Sequence, residues 1–362
     1  MDALFDVPVL GFVLQFAAFL VEAIGTTNLA PITLILATPI ALGALCGVMN
    51  ERSGVVNIGI EGMMLMSAFV GFMAALAVHQ SAPPVEPSSF FGVTPALLVG
   101  LVAAVLAGMA ISALHAWLCI TVRADQIISG TIINIIALGL TGYINRLIKP
   151  TGSAGTFAPF HPPAALIDLP LVGWVFRMFL AVGPITMSVI VLVIVMQVLL
   201  FRSRWGLRTR AVGEHPRAAD TVGINVIALR YRNVIIGGAF AGLAGAWLTL
   251  EQTASFQNGM TANRGFIALA AVIFGRWTPI GAFGGALLFM ASEALGVAIR
   301  SHPPSGDLGT FLGGVQAAYP SLYNNIFAAL PYLLTLIILA GVVGRSVAPA
   351  AVGRPYVKEG AT

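Results

Sequence analysis

Lysine is nearly missing from this sequence. Only Lys149 and Lys358 occur among 362 residues, and neither follows a glycine. A phosphate-cradling loop needs G-x-x-x-x-G-K-[ST] with its lysine on the phosphates, so that mode of nucleotide binding is excluded from this chain. Charge of either sign is scarce. Asp, Glu, Lys and Arg make up 9% of the residues, against about 25% in a soluble domain. Neither H-E-x-x-H nor G-x-S-x-G is present, so the usual metal and serine-nucleophile frameworks of an enzyme are lacking. The two cysteines, Cys46 and Cys119, lie in apolar runs and read as small packing residues, not as a disulfide or metal pair. No basic residue precedes Arg52, so the basic start of a cleavable signal peptide is absent. No metal, no cofactor and no nucleic-acid partner is expected.

What the chain has instead is apolar length. It is 58% hydrophobic, with a mean hydropathy of +0.94. Several runs exceed the roughly 18–20 residues that cross a bilayer as a helix. Helices are the expected spans, because lipid offers backbone groups no other partner. The 40 glycines and 21 prolines fit that reading, since both residues are commoner in membrane helices than in soluble ones. The fold class is therefore an all-α polytopic membrane protein with about ten transmembrane helices. They are predicted near 8–25, 31–49, 56–78, 94–119, 126–147, 179–201, 233–250, 264–276, 279–299 and 325–344. The segment 264–276 is short and runs into WTPIGAFGG, as a half-helix would.

Basic residues orient the chain. With ten crossings and both termini cytoplasmic, Arg52, Arg123, Arg202, Arg204, Arg208, Arg210, Arg217, Arg230, Arg232, Arg276, Arg345, Arg354 and Lys358 fall inside. Arg146, Lys149, Arg177, Arg264 and Arg300 fall outside. The seven arginines of residues 202–232 decide this split, so that segment is predicted to be a cytoplasmic loop, and 345–362 a cytoplasmic tail. Within the loop, GEHPRAADTVGIN places Glu214 and Pro216 at a helix start and Gly223 at its stop, which predicts a short helix over 215–222. From pattern alone, an anchor touching anionic membrane lipid is an equal reading.

Four stretches carry a family resemblance: ERSGVVNIGIEGMMLMSAF (51–69), ADQIISGTIINIIALGL (124–140), the loop containing GEHPRAADTVGIN, and GMTANRGFIALAAVIFGRWTPIGAFGGALL (259–288). Together they resemble the permease subunits of ABC importers, in the branch that includes branched-chain amino acid, ribose and nucleoside permeases. The likeness is greatest to the nucleoside, or simple-sugar, sub-branch and extends from about residue 30 to 345. It implies a single transmembrane permease domain over 1–362 with the ten-helix, type II-like importer architecture. It also implies a separate ABC ATPase subunit that binds the ATP, a second permease subunit (the same chain or a paralogue) and a periplasmic or lipoprotein substrate-binding protein, in the bacterial inner membrane. In that family the loop corresponding to 213–225 is the coupling helix that docks on the ATPase. Gly213, Glu214, Arg217, Ala218, Ala219, Asp220 and Gly223 are the residues the resemblance assigns to ATPase coupling.

Polar groups at membrane depth are functional candidates by default, since a charge there costs about 2.5–3.5 kcal/mol on insertion scales. Glu61 leads them. It follows Asn57 by four residues, which places both on one helix face. The nearby Gly59 and Gly62 suggest a loosened or broken helix, where backbone groups could face a cavity. Asn134, in GTIINIIALG, is the third candidate for the substrate path. For each, a purely structural bond to a neighbouring helix is the competing reading. Gln126 and Ser129 are weaker candidates, Glu293 reads as a structural pair and His115 as a packed core histidine. The loops near 80–92, 148–178 and 300–324 are expected on the outer face, where the resemblance places the binding protein. Five segments on each side of residue 150 fit inverted repeats. The alternative function is an ion-coupled secondary transporter with Glu61, Glu293 and His115 as proton carriers.

Overall fold

The computed structural model describes residues 19, 29–81, 92–160, 179–301, 306–323, 325–326, 329 and 346–358. The regular elements among the described residues are all helices, with no strand among them. In chain order they form α1 (Leu29–Glu51), α2 (Ile60–Ser81), α3 (Pro95–Ala116), α4 (Gln126–Ile148), α5 (Pro184–Arg202), α6 (Arg204–Glu214), α7 (Pro216–Thr221), α8 (Val226–Ala246), α9 (Arg264–Phe274), α10 (Pro279–Ser301) and α11 (Gly306–Ala318). Among the described residues, seven stretches are long and apolar enough to cross a membrane: α1, α2, α3 with its extension to Val122, α4, α5, α8 with its extension to Thr253, and α10 to Ile299. The spans predicted at 8–25 and 325–344 lie outside the described residues, apart from isolated positions. The shorter apolar helix α9 has 11 residues and falls within the predicted half-helix.

Two differences from the sequence reading concern the charged segment. Residues 202–232 are helical through most of their length, because α6 precedes the predicted short helix, seen here as α7. The next span then begins at Val226 instead of 233. The Asn225 side chain caps its first turn by accepting from the Ala228 N–H. Arg230 and Asn233, which look polar in sequence, are fully buried within that helix.

Contacts divide the chain into two compact units. The smaller takes the described parts of Met1–Ala37, His161–Val182 and Leu287–Gly344. Its core is Phe19, Ala298, Ile299 and Tyr323, packed with Leu29, Leu295, Leu312 and Val315. The larger takes Thr38–Phe160, Gly183–Ala286 and Arg345–Thr362 and contains every candidate site residue named above except Glu293. Its centre is the trio α2, α3 and α8. Glycine lets these backbones touch. A Cβ on Gly108 of α3 would lie 2.4 Å from the Gly238 carbonyl oxygen of α8, and one on Gly245 of α8 would lie 2.4 Å from the Met64 carbonyl oxygen of α2. In lipid no hydrophobic force drives helices together, so close approach through small residues supplies the packing. The outward sides of α3, α4 and α5 expose Val102, Leu106, Ile135, Leu147 and Val191, the surface expected where hydrocarbon is the solvent.

Candidate substrate path and ATPase-coupling surface

Between α1 and α2 the helix breaks, and residues 52–59 form no helical turn of their own. Asn57 therefore does not share a helix face with Glu61, contrary to the i, i+4 expectation for a continuous helix. It sits in the break, fully buried, and its Oδ1 accepts from the Gly59 N–H at 3.0 Å. A backbone released from helical pairing must find other partners at membrane depth. Side chains of α3 and α4 provide them. Gln126 Oε1 accepts from the Val56 N–H at 2.7 Å, and His115 Nε2 lies 3.0 Å from the Val56 carbonyl oxygen. A carbonyl only accepts, so Nε2 carries the proton; in the neutral ring Nδ1 then accepts from the Ser129 hydroxyl, 3.0 Å away. Asn134 brackets the far end, with Nδ2 donating to the Ile58 carbonyl at 3.0 Å and Oδ1 accepting from the Gly62 N–H at 2.7 Å. Tight packing makes these bonds possible, since a Cβ on Gly62 would meet Asn134 Cα at 2.8 Å.

Glu61, in the first turn of α2, reaches across to α9. Its Oε1 accepts from the Asn263 N–H at 2.9 Å and its Oε2 from the Gly265 N–H at 2.6 Å. Asn263, the residue before α9, is left-handed at φ 65° and provides no side-chain cap of its own. Glu61 is thus the N-terminal cap of a helix some 200 residues away. The starts of α2 and α9 meet there, and the carboxylate sits where two positive dipole ends converge. Asn57, Glu61 and Asn134 are brought to one junction, each with a partner on the broken backbone or on α9. We expect Glu61→Gln to destabilise the chain by ~1–3 kcal/mol, because its NH2 group faces an N–H donor and the charge is lost. Thermal unfolding in detergent checks this; an unchanged midpoint would remove the capping role.

The residues assigned to ATPase coupling lie together at another end of the same unit. Gly213 is buried, and a Cβ there would lie 2.2 Å from the Arg52 carbonyl oxygen. Glu214 accepts from the Ala350 N–H at 3.1 Å, and the Gly213 carbonyl accepts from the Ala351 N–H at 2.9 Å. Pro216 opens α7, and Gly223, at φ 83°, follows its end as the sequence pattern indicated. Arg217 and Ala218 are exposed, Asp220 is half-buried, and Ala219 is buried against Val212, Val226, Leu229 and Tyr356. The C-terminal segment 346–358 packs along this region, and Arg230 Nη1 donates to the Arg354 carbonyl at 3.0 Å. Residues 214–218, 350–351 and 354–357 line a cleft of about 530 Å³.

Several polar residues with structural roles escaped the sequence reading. Glu251 caps α5, accepting from the Ile185 N–H at 2.7 Å, the Thr186 N–H at 3.1 Å and the Thr186 hydroxyl at 2.5 Å. Glu51 accepts from the Trp277 indole N–H. Arg52 donates from Nε to the Trp277 carbonyl at 2.7 Å and from Nη2 to the Arg276 carbonyl at 3.1 Å. Burial pushes the Arg52 guanidinium below its ordinary pKa, with Glu214 opposing and Arg210 reinforcing that shift. The turn it holds is strained, since Arg276 and Trp277 have φ of 52° and 54°, and such non-glycine conformations cost about 1–3 kcal/mol each. The only sequence signal for these groups was charge or indole at a span end. Glu293 lies half-buried on α10, in the smaller unit.

Comparison with known proteins places the chain in a family. The family described as branched-chain amino acid transport system / permease component matches residues 30–339. The guanosine ABC transporter permease protein NupQ of Bacillus subtilis (strain 168) is 38% identical over 333 residues, covering 91% of this chain and 96% of NupQ. The nucleoside ABC transporter permease protein NupC of Lactococcus lactis subsp. cremoris (strain MG1363) is 34% identical over 328 residues, covering 90% of this chain and 95% of NupC. No solved structure matches the chain. The chain belongs to the ABC transporter permease family of the branched-chain amino acid type, a non-enzymatic membrane component of a transporter.

Proposed function

We propose that this chain forms half of the translocation path for nucleosides, or a related simple sugar, in an ATP-driven importer. The substrate class comes from the similarity to NupQ and NupC, whose names specify guanosine and nucleosides. The observation that carries the path is the junction of broken backbone and two helix starts at Asn57, Glu61 and Asn134. Discontinuous helices whose N-termini face a midplane site suit a solute rich in hydroxyl and carbonyl oxygens. A nucleoside path needs amide and carboxylate partners for the ribose hydroxyls and apolar surface for the base. In this reading the ten-helix chain has both termini in the cytoplasm of a bacterial inner membrane. It pairs with a second permease subunit, which is either another copy or a paralogue. A periplasmic or lipoprotein binding protein delivers the substrate. The cleft of about 520 Å³ beside Asn145, Arg146, Lys149 and Ser255, at the other end of α4 from Gln126, supports an outer docking face. Residues 213–223 bear on the ATPase, which biases the path between its outward- and inward-facing states through contacts that differ between them.

The test is uptake of labelled uridine and guanosine into right-side-out vesicles holding this chain, its ATPase and its binding protein. ATP-dependent, protonophore-resistant uptake blocked by unlabelled nucleosides is expected. Competition by ribose or leucine alone would change the substrate and keep the mechanism. Uptake that needs no ATP and collapses with the protonophore would hand the function to a proton-coupled carrier.

A further inference from the structure

Arg52 follows the last residue of α1, and four independent contacts converge on it. Its guanidinium spans two successive carbonyls, those of Trp277 at 2.7 Å and Arg276 at 3.1 Å. These two residues form the turn between α9 and α10, and both are left-handed without being glycine. The neighbouring Glu51 accepts from the Trp277 indole. The Phe201 ring lies 5.6 Å from the guanidinium carbon of Arg52 and 5.0 Å from that of Arg210 on α6. The Arg52 carbonyl faces Gly213 so closely that a single methyl group there would overlap it, at 2.2 Å. The other end of α9 is held by Glu61. A helix of 11 residues is therefore pinned at both ends by residues 51–61, and the backbone of Arg52 and Gly54 in that stretch packs directly on Gly213 of the coupling segment.

From this geometry we infer that Arg52 is a positioning residue for coupling: it ties displacement of the α6–α7 segment to the α9–α10 turn, and so to the Glu61 junction at the other end of α9. This deepens the proposed function and rests on its assignment of residues 213–223 to the ATPase. A displacement of α6 that moves Gly213 has to move the Arg52 backbone, because no space separates them. The forked guanidinium then carries the shift to two carbonyls at once, which a point charge could not do with the same geometry. The contacts also explain why the turn keeps a conformation its residues disfavour. Packed elements with discrete arrangements transmit small shifts in this way, because they do not deform continuously.

The experiment uses the complete importer in proteoliposomes and reads three quantities: ATPase retained with the chain, ATP hydrolysed and labelled guanosine taken up. Arg52→Gln is expected to keep the ATPase bound and to hydrolyse ATP within about twofold of the parent, while uptake per ATP falls at least about tenfold, within the usual range of coupling between sites. Unchanged uptake per ATP would overturn the inference. So would loss of the ATPase from the complex, which would make Arg52 a docking residue. If Arg52→Gln fails to insert, Arg52→Lys decides: it keeps the charge but not the fork, and a ratio equal to that of the parent again overturns the role. Ala218→Trp, on the exposed side of α7, separates the two levels. Coupled uptake intact in Ala218→Trp would remove the coupling assignment itself, whereas impairment there with a normal Arg52→Gln would remove only the role of Arg52.

Discussion

Asn134→Leu is expected to abolish uptake and to lower the unfolding midpoint of the purified chain. The side chain makes two bonds, one to the Ile58 carbonyl and one to the Gly62 N–H, and both partners are backbone groups freed by the break between α1 and α2. Hydrogen bonds between membrane helices average only about 0.6 kcal/mol in double-mutant cycles, because the separated helices find other partners. That average does not govern here. Leucine leaves a donor and an acceptor stranded in packed surroundings, and each stranded group costs ~1–3 kcal/mol, so the loss should reach about 2–6 kcal/mol. Asn134→Asp keeps an acceptor for Gly62 and loses the donor to Ile58, so it should fall between leucine and the parent. Thermal unfolding and guanosine uptake measured on all three would decide. A leucine variant with parental stability would mean that the break finds other partners and that Asn134 does not organise it.

The second large effect separates two adjacent alanines. In sequence Ala218 and Ala219 are equivalent members of the coupling motif, but the structure exposes the first and buries the second at 3%. Trp at 219 must enter the cluster of Val212, Val226, Leu229 and Tyr356, and overpacking of that kind costs about 1–3 kcal/mol. Stability and uptake should fall together in that variant. Trp at 218 enters solvent, so unfolding should stay within ~0.5 kcal/mol of the parent, while ATP-driven uptake falls to background because a bulky ring stands where the ATPase docks. A stable Ala218→Trp chain that transports normally would place the docking surface elsewhere. Equal stability losses at both positions would mean that α7 is buried more deeply than the structure indicates.

The junction was partly legible in the sequence. Glu61 and Asn134 stood out because a carboxylate or amide in an apolar run needs a partner, and Gly59 marked the break, whereas Gly62 lies within α2. What each one bonds was not legible. The partner of Glu61 is the backbone of residues 263 and 265, and backbone N–H groups carry no sequence signature. Asn57 shows the opposite failure: its spacing from Glu61 implied one helix face, but the break removed the helix under it. Glu51, Arg52 and Glu251 were overlooked because charges at span ends look like ordinary interfacial residues. Their roles come from distant elements, the 276–277 turn and the start of α5.

By itself the sequence determined the solvent and the class. Scarce charge and long apolar runs leave a helical membrane protein as the outcome, and no P-loop lysine occurs among its residues. It also placed the α7 helix, because proline at its first position and glycine after its last are local backbone constraints that need no tertiary context. Only the tertiary structure decided which polar residues meet. It showed that the 346–358 segment lies along the coupling surface, that Glu61 caps α9, and that Arg52 stands between Gly213 and the strained turn. The physical reason is range. Helix propensity, capping and hydropathy act over a few residues, whereas these contacts join positions 124 to 225 residues apart and exist only once glycine-lined helices have closed on one another.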